Sequence, residues 1–309
     1  VVDRRFIFGP REKEKFVGLM RGYETFCQVR ILAFCVMSNH FHILVEVPAP
    51  PDRRGRDWSD EKFLRHLSVL YSEREMAGIR WQLGQFREQG ADSAAEEFRD
   101  SYFRRMWDLS QFMKPLKQCF TSWFNRKEDR RGTLWEERFK SVLVEDGHAA
   151  RVMAAYIDLN PVRAGMVAHP KDYRWSSYGQ AVKGQLPARE GIQRVMFESG
   201  SAWGDSQEAR KMPGSWETSL SRYQEVLFAY LQKITTQEGK ALREGDGPCG
   251  AESAGGRIRS FVDGLVVGSR PFIDHAFRLT RERFGPNRQD GARKIRGLGG
   301  ALCAMRDLP

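Results

Sequence analysis

The stretch Val36-Met-Ser-Asn-His40-Phe-His42-Ile-Leu-Val-Glu46-Val-Pro48 constrains the fold more than any other part of this chain. Successive side chains of a strand point to opposite faces, so His40, His42, Leu44 and Glu46 would share one face and Phe41, Ile43, Val45 and Val47 the other. The second face is apolar and reads as core. Pro48, Pro50 and Pro51 end the strand, because proline cannot donate to a ladder. Upstream, residues 29–36 read as another strand and Ser38-Asn39 as a tight turn, so the histidine strand runs back antiparallel to its neighbour. Two imidazoles side by side on an open face form two-thirds of a metal site, or an anion-binding pair. They are equally what two half-exposed histidines without a ligand look like. Only six histidines occur in the chain, and histidine is a leading ligand of catalytic metals.

Around this hairpin the patterning alternates between strand and helix. Residues 1–8 read as the tail of a strand closed by Gly9-Pro10. Residues 11–27 carry Phe16, Leu19, Met20, Tyr23 and Phe26 at helical spacing. Residues 51–60 are an arginine-rich linker, and 60–131 read as a helical insertion bearing interleaved aromatics and cations. That insertion is either a solvated helical layer or a basic arm beside a nucleic-acid groove. Residues 139–144 alternate as a strand. Asp146 is placed to cap a helix over 147–160, which Pro161 ends by disfavouring α conformation at Asn160. Residues 171–178 read as a loop, 186–215 as aperiodic, 218–235 as a helix and 236–256 as a Gly-rich linker. Residues 261–284 read as two short helices about Gly268, either a helix-turn-helix DNA-binding module or a helical cap with a basic tail.

Composition narrows the partners. With 50 Lys+Arg against 40 Asp+Glu the net charge is +10, a balance that favours polyanions such as nucleic acid. The five cysteines are scattered, with no Cys-x-x-Cys pair, which excludes a structural zinc site of that kind. No apolar run approaches the roughly 20 residues that span a bilayer, and no secretory signal opens the chain. A cytoplasmic protein with no membrane partner is expected. The chain begins at Val1 and not Met, which points to missing upstream residues.

Tyr156 and Asn160 are four apart on one helix, about 6 Å along its axis, and so share a face. Asn160 can offer a carbonyl oxygen to a metal and Tyr156 a phenol as nucleophile. A phenol with a pKa near 10 attacks poorly unaided, and a divalent metal helps by polarising the phosphate under attack. Two histidines and an amide oxygen suit Mn²⁺ or Mg²⁺, with positions left for phosphate oxygens. Arg138, Lys140 and Arg163 are the candidate phosphate contacts, and Tyr173 and Tyr178 are placed to stack on a base.

Taken together these residues resemble a known family. His40-Phe41-His42, flanked by Met37-Ser-Asn and Ile43-Leu-Val, resembles the His-hydrophobic-His signature of single-tyrosine HUH transposases. Leu134-Trp-Glu-Glu-Arg-Phe-Lys-Ser, Tyr156-Ile-Asp-Leu-Asn-Pro-Val-Arg-Ala-Gly and Trp175-Ser-Ser-Tyr look like the REP-associated tyrosine transposase branch. The resemblance covers roughly residues 1–180. It implies an α+β fold with a ferredoxin-like antiparallel sheet and helices on one face, metal ligands at His40, His42 and Asn160, and an attacking tyrosine at Tyr156. The activity implied is cleavage and rejoining of single-stranded or hairpin DNA through a 5′-phosphotyrosine link, by a monomer or homodimer. The expected domains are a catalytic domain over 1–180 with its insertion at 51–131, a variable linker and helical region over 181–256, and a small, mostly helical basic region over 257–309. The first strand of the family is cut short at Val1, the insertion is long for the family, and residues beyond 185 have no counterpart in its smallest members. Two other readings stay open: a DNA-binding protein on the same fold that cleaves nothing, and a small-substrate metal hydrolase recruiting Glu46 as a further ligand.

Overall fold

The computed structural model describes residues 6–53, 55–197, 215–243, 261, 264–285, 288, 290–295 and 302–306. The chain is mixed α+β. Its residues group into two compact units that do not follow chain order: one draws on 1–31, 38–40 and 45–137, the other on 32–37, 41–44 and 138–309. Strands β1 (Arg30–Val36) and β2 (Phe41–Glu46) form a two-stranded sheet whose residues are divided between the units. Their four-residue connection forces the antiparallel sense.

The first unit is helical. Helix α1 (Pro10–Cys27) starts at Pro10, whose missing N–H costs nothing in the first turn, and stops where Gln28 turns left-handed at φ 54°. Its buried face carries Phe16, Met20, Tyr23 and Phe26 and packs on α5 (Leu109–Lys127). Phe8, Phe16 and Phe120 form the ring cluster there, with centroids 5.0–5.6 Å apart. Pro115 lies inside α5 and cannot bond the Gln111 carbonyl; Cys27 Sγ donates to that carbonyl instead, at 3.6 Å. Helices α2 (Asp60–Leu67), α3 (Glu73–Glu88) and α4 (Asp92–Phe103) fill the expected insertion. Ser72 and Glu75 close a capping box on α3, and the buried Arg99 guanidinium is held by Asp60 and Glu96.

The second unit holds a four-stranded sheet in the order β3-β4-β6-β5 and a helical cluster. Strand β3 (Leu143–Val144) runs parallel to β4 (Gly264–Gly268); β6 (Cys303–Arg306) is antiparallel to β4 and to β5 (Arg293–Lys294). Helix α6 (His148–Asp158), the short α7 (Asn160–Arg163), α8 (Ser177–Val182), α9 (Leu186–Met196) and α10 (Trp216–Arg243) surround the core that includes Ala33, Cys35, Met37 and Leu44. The segment before α8 clamps β1: Val36 N–H donates to the Trp175 carbonyl at 3.0 Å, and Tyr173 Oη to the Val36 carbonyl at 2.7 Å. Gly179 is required here, since a Cβ would strike the Tyr173 carbonyl.

Several local expectations change. Phe6–Phe8 do not form a strand, and residues 1–5 lie outside the described residues; Phe8 is spent on the α1–α5 ring cluster. The strand expected over 139–144 is only Leu143–Val144, because 139–142 meet no ladder partner among the described residues. Asp146 does not cap α6; its carboxylate takes the Gly147 N–H at 2.7 Å, and Gly147 sits at φ 75° before the helix. Residues 177–182 and 186–196 are helical. The first of the two short helices expected about Gly268 over 261–284 is replaced by β4, and the second is α11 (Arg270–Leu279), which lays Phe272, Ile273, Ala276 and Phe277 on the sheet. Among the described residues of 257–309, strands β4, β5 and β6 stand beside α11. A short apolar run such as Leu265-Val-Val267 has no periodicity to separate strand from helix, and here β6 supplies its ladder.

Candidate functional site

Helix α6 is apolar on nearly all sides, with every residue from Val152 to Asp158 buried. One carboxylate in such a helix demands partners, and it has three. Asp158 Oδ1 accepts from Ser177 Oγ at 2.7 Å and from the Tyr178 N–H at 3.0 Å, while Oδ2 accepts from Tyr223 Oη at 2.6 Å. Burial drives the Asp158 carboxyl up to about 6, against the pull of its hydrogen-bond donors. Burial and the neighbouring Asp158 carboxylate push the Tyr223 phenol well above its ordinary value. This network fixes α6 against α8 and α10, and so fixes Tyr156 two residues earlier and Asn160 two residues later.

Tyr156 is 2% exposed. Three groups surround its ring. His42 from β2 meets it edge-on at 5.9 Å and 75°, Phe261 edge-on at 5.1 Å and 78°, and the Arg163 guanidinium lies over it at 4.8 Å. Asn160 is buried too; its amide nitrogen donates to the carbonyls of Tyr156 at 2.9 Å and Ile157 at 3.3 Å. That leaves the amide oxygen as the end available to a ligand. The structure therefore sets His42, from over a hundred residues earlier, and Arg163 against the Tyr156 ring, with Asn160 bonded to the backbone carbonyls of Tyr156 and Ile157.

The other expected residues are placed differently. His40 precedes β2, is exposed, and its Nδ1 lies 2.7 Å from Asn39 Oδ1. Glu46 is ion-paired with Arg30 at 3.3 Å through one carboxylate oxygen. Arg138 and Lys140 are exposed on the segment leading to β3. Tyr178 is buried, with its ring 5.9 Å from Tyr223 and its hydroxyl accepting from Gln224 Nε2 at 3.1 Å; Tyr173 is buried as well. Neither ring is presented for stacking on a base, because both are used to lock the α8 segment in place.

Sequence pattern does not single out Tyr223, Tyr230 or Phe261; Asp158 and Ser177 lie inside the motifs Tyr156-Ile-Asp-Leu-Asn and Trp175-Ser-Ser-Tyr, and the lone acid within Ala154-Ala-Tyr-Ile-Asp158-Leu is the signal that marks Asp158. Among the described residues no group of three or more His, Cys, Asp or Glu side chains could hold a metal ion. His42 and Asn160 carry an imidazole and an amide, neutral donors of a kind that Mn²⁺ accepts more readily than Mg²⁺. None of the described helices is long and apolar enough to cross a membrane.

No protein-family model and no solved structure matches the chain. A curated protein of Haemophilus influenzae, provisionally named a REP-associated tyrosine transposase, is 34% identical over 89 residues. The match covers 28% of this chain and 51% of the relative, so the chain spans about half the length of the curated protein it matches.

Proposed function

We propose that this chain is a DNA strand-transferase of the tyrosine transposase kind, cutting and rejoining single-stranded DNA beside a hairpin. The observation that supports it best is the meeting of His42 and Arg163 on the Tyr156 ring, with the Asn160 amide bonded to the Tyr156 backbone carbonyl. The similarity to a protein named for transposition and the net charge of +10 point to the same partner. The ferredoxin-like core belongs to this reading through the sequence resemblance alone.

In the proposed reaction Tyr156 Oη attacks phosphorus, the bond to the 3′ oxygen breaks, and a 5′-phosphotyrosine forms. The phenol loses its proton and the departing 3′ oxygen gains one. Arg163 supplies a fixed cation beside the phenol, where negative charge accumulates on the phosphoryl oxygens. His42, Asn160 and His40 would hold a divalent ion, which when bound polarises the phosphate and leaves the chain to orient it. Hydrogen bonds from Asn160 to the α6 carbonyls keep its oxygen turned outward, and Asp158 keeps α6 from shifting.

A second reading is favoured by one feature. Tyr156 is 2% exposed under Phe261, as expected of a DNA-binding protein that retains the site without using it. The two separate cleanly. Full-length protein, hairpin-bearing single-stranded DNA and Mn²⁺ or Mg²⁺ should yield a denaturant-stable adduct that Tyr156→Phe abolishes. Binding without any adduct establishes the silent reading; an adduct that survives Tyr156→Phe removes Tyr156 from the mechanism.

A further inference from the structure

Helix α10 presents Tyr223, Leu227 and Tyr230 on one buried face, spaced four and three residues apart. Tyr223 is anchored on Asp158, so this face runs along α6. Tyr230 comes two turns further on. Its side chain is 4% exposed, and its hydroxyl is enclosed without a hydrogen-bond partner among the described residues. Tyr230 lies in the same buried cluster as Tyr156, whose ring the Arg163 guanidinium covers at 4.8 Å; burial pushes the ionisation of Tyr230 up and Arg163 pulls it down. A buried orphan donor is costly to a fold, and native structures keep few of them. Tyr230→Phe would remove the cost with no loss of packing, so the oxygen calls for an explanation beyond stability.

We propose that Tyr230 Oη is a substrate contact, donating a hydrogen bond to a non-bridging oxygen of the phosphate that Arg163 holds beside Tyr156. The inference rests on the strand-transfer reading and extends it to a residue outside the region of sequence resemblance. Tyr230 is uncharged, so it contributes direction where Arg163 contributes charge. A donor fixed by burial on one side of the phosphate distinguishes the two non-bridging oxygens.

The test uses the full chain, Mn²⁺ and a hairpin-bearing single-stranded oligonucleotide. Tyr230→Phe should slow adduct formation by about ten- to a hundredfold, as for one lost bond to a charged acceptor. In the Tyr156→Phe background, where no adduct forms, adding Tyr230→Phe should weaken equilibrium binding of the same oligonucleotide while leaving the salt dependence unchanged, because no charge is lost. The unfolding midpoint should stay level or rise. Oligonucleotides with a stereodefined phosphorothioate at the cleaved position should show a preference between the two isomers that Tyr230→Phe erases. Unchanged capture, binding and isomer preference would overturn the proposal, as would a fall in the unfolding midpoint, which would mean that the hydroxyl has a protein partner. If wild type forms no adduct but the Tyr230→Phe pair still differs in binding, the strand-transfer chemistry fails and the Tyr230 contact stands.

Discussion

Removing the Asp158 carboxylate should be among the most damaging single changes in the second unit, and the structure sets the size. Asp158→Ala strips the acceptor from Ser177 Oγ, the Tyr178 N–H and Tyr223 Oη. Ser177 has a fallback in the Phe34 carbonyl at 3.4 Å, but the other two donors are left buried. At roughly 1–3 kcal/mol for each orphaned donor, the loss should total about 4 kcal/mol. Asp158→Asn keeps one oxygen for Ser177 and Tyr178 and turns an amide toward Tyr223, whose hydroxyl can rotate to accept, so it should cost only about 1–2 kcal/mol. Tyr223→Phe should cost about 1.5 kcal/mol in wild type and almost nothing in Asp158→Ala, since there the orphan donor is already a liability. Urea unfolding of wild type, Asp158→Ala, Tyr223→Phe and the double variant, followed by amide exchange in α6, α8 and the first turns of α10, measures the cycle. A cost below about 1 kcal/mol for Asp158→Ala, or an equal cost of Tyr223→Phe in both backgrounds, would refute the claim that this network fixes α6.

Three further outcomes are expected. Phe261→Leu, which shortens the side chain packed on Tyr156, should speed adduct formation at a stability cost of about 1–1.5 kcal/mol; a slower reaction would show that Phe261 orders the site and does not cover it. His66 is held neutral by burial while its Nε2 donates to the Phe26 carbonyl at 3.0 Å, so its folded pKa lies below the unfolded 6.5. The unfolded chain then takes up the proton first, and the first unit should lose stability as pH falls below 6.5. His66→Gln should flatten that dependence in urea midpoints between pH 5 and pH 7.5, and an identical slope in the variant would exclude His66 as its source. Replacing both Arg138 and Lys140 with Gln should reduce the slope of log binding constant against log salt by about 1.4 for single-stranded DNA if both touch phosphates; an unchanged slope in a binding titration would show that they do not.

Local pattern alone was enough for the hairpin around Ser38-Asn39, the apolar stripe of α1 and the helical nature of most of residues 60–127. Each rests on side-chain period or backbone chemistry, which act over a few residues. Nothing local separates Tyr156, Tyr178, Tyr223 and Tyr230, which are all buried and do different things. Tyr178 faces the core, Tyr223 grips a carboxylate, Tyr230 keeps an unbonded hydroxyl, and Tyr156 meets a histidine that entered the sequence more than a hundred residues earlier. The ladder that turned residues 264–268 into a strand likewise arrives from residues 303–306. Period and turn chemistry are properties of a segment; whether a buried polar atom finds a partner is decided by which distant segments pack around it, and only the tertiary structure contains that choice.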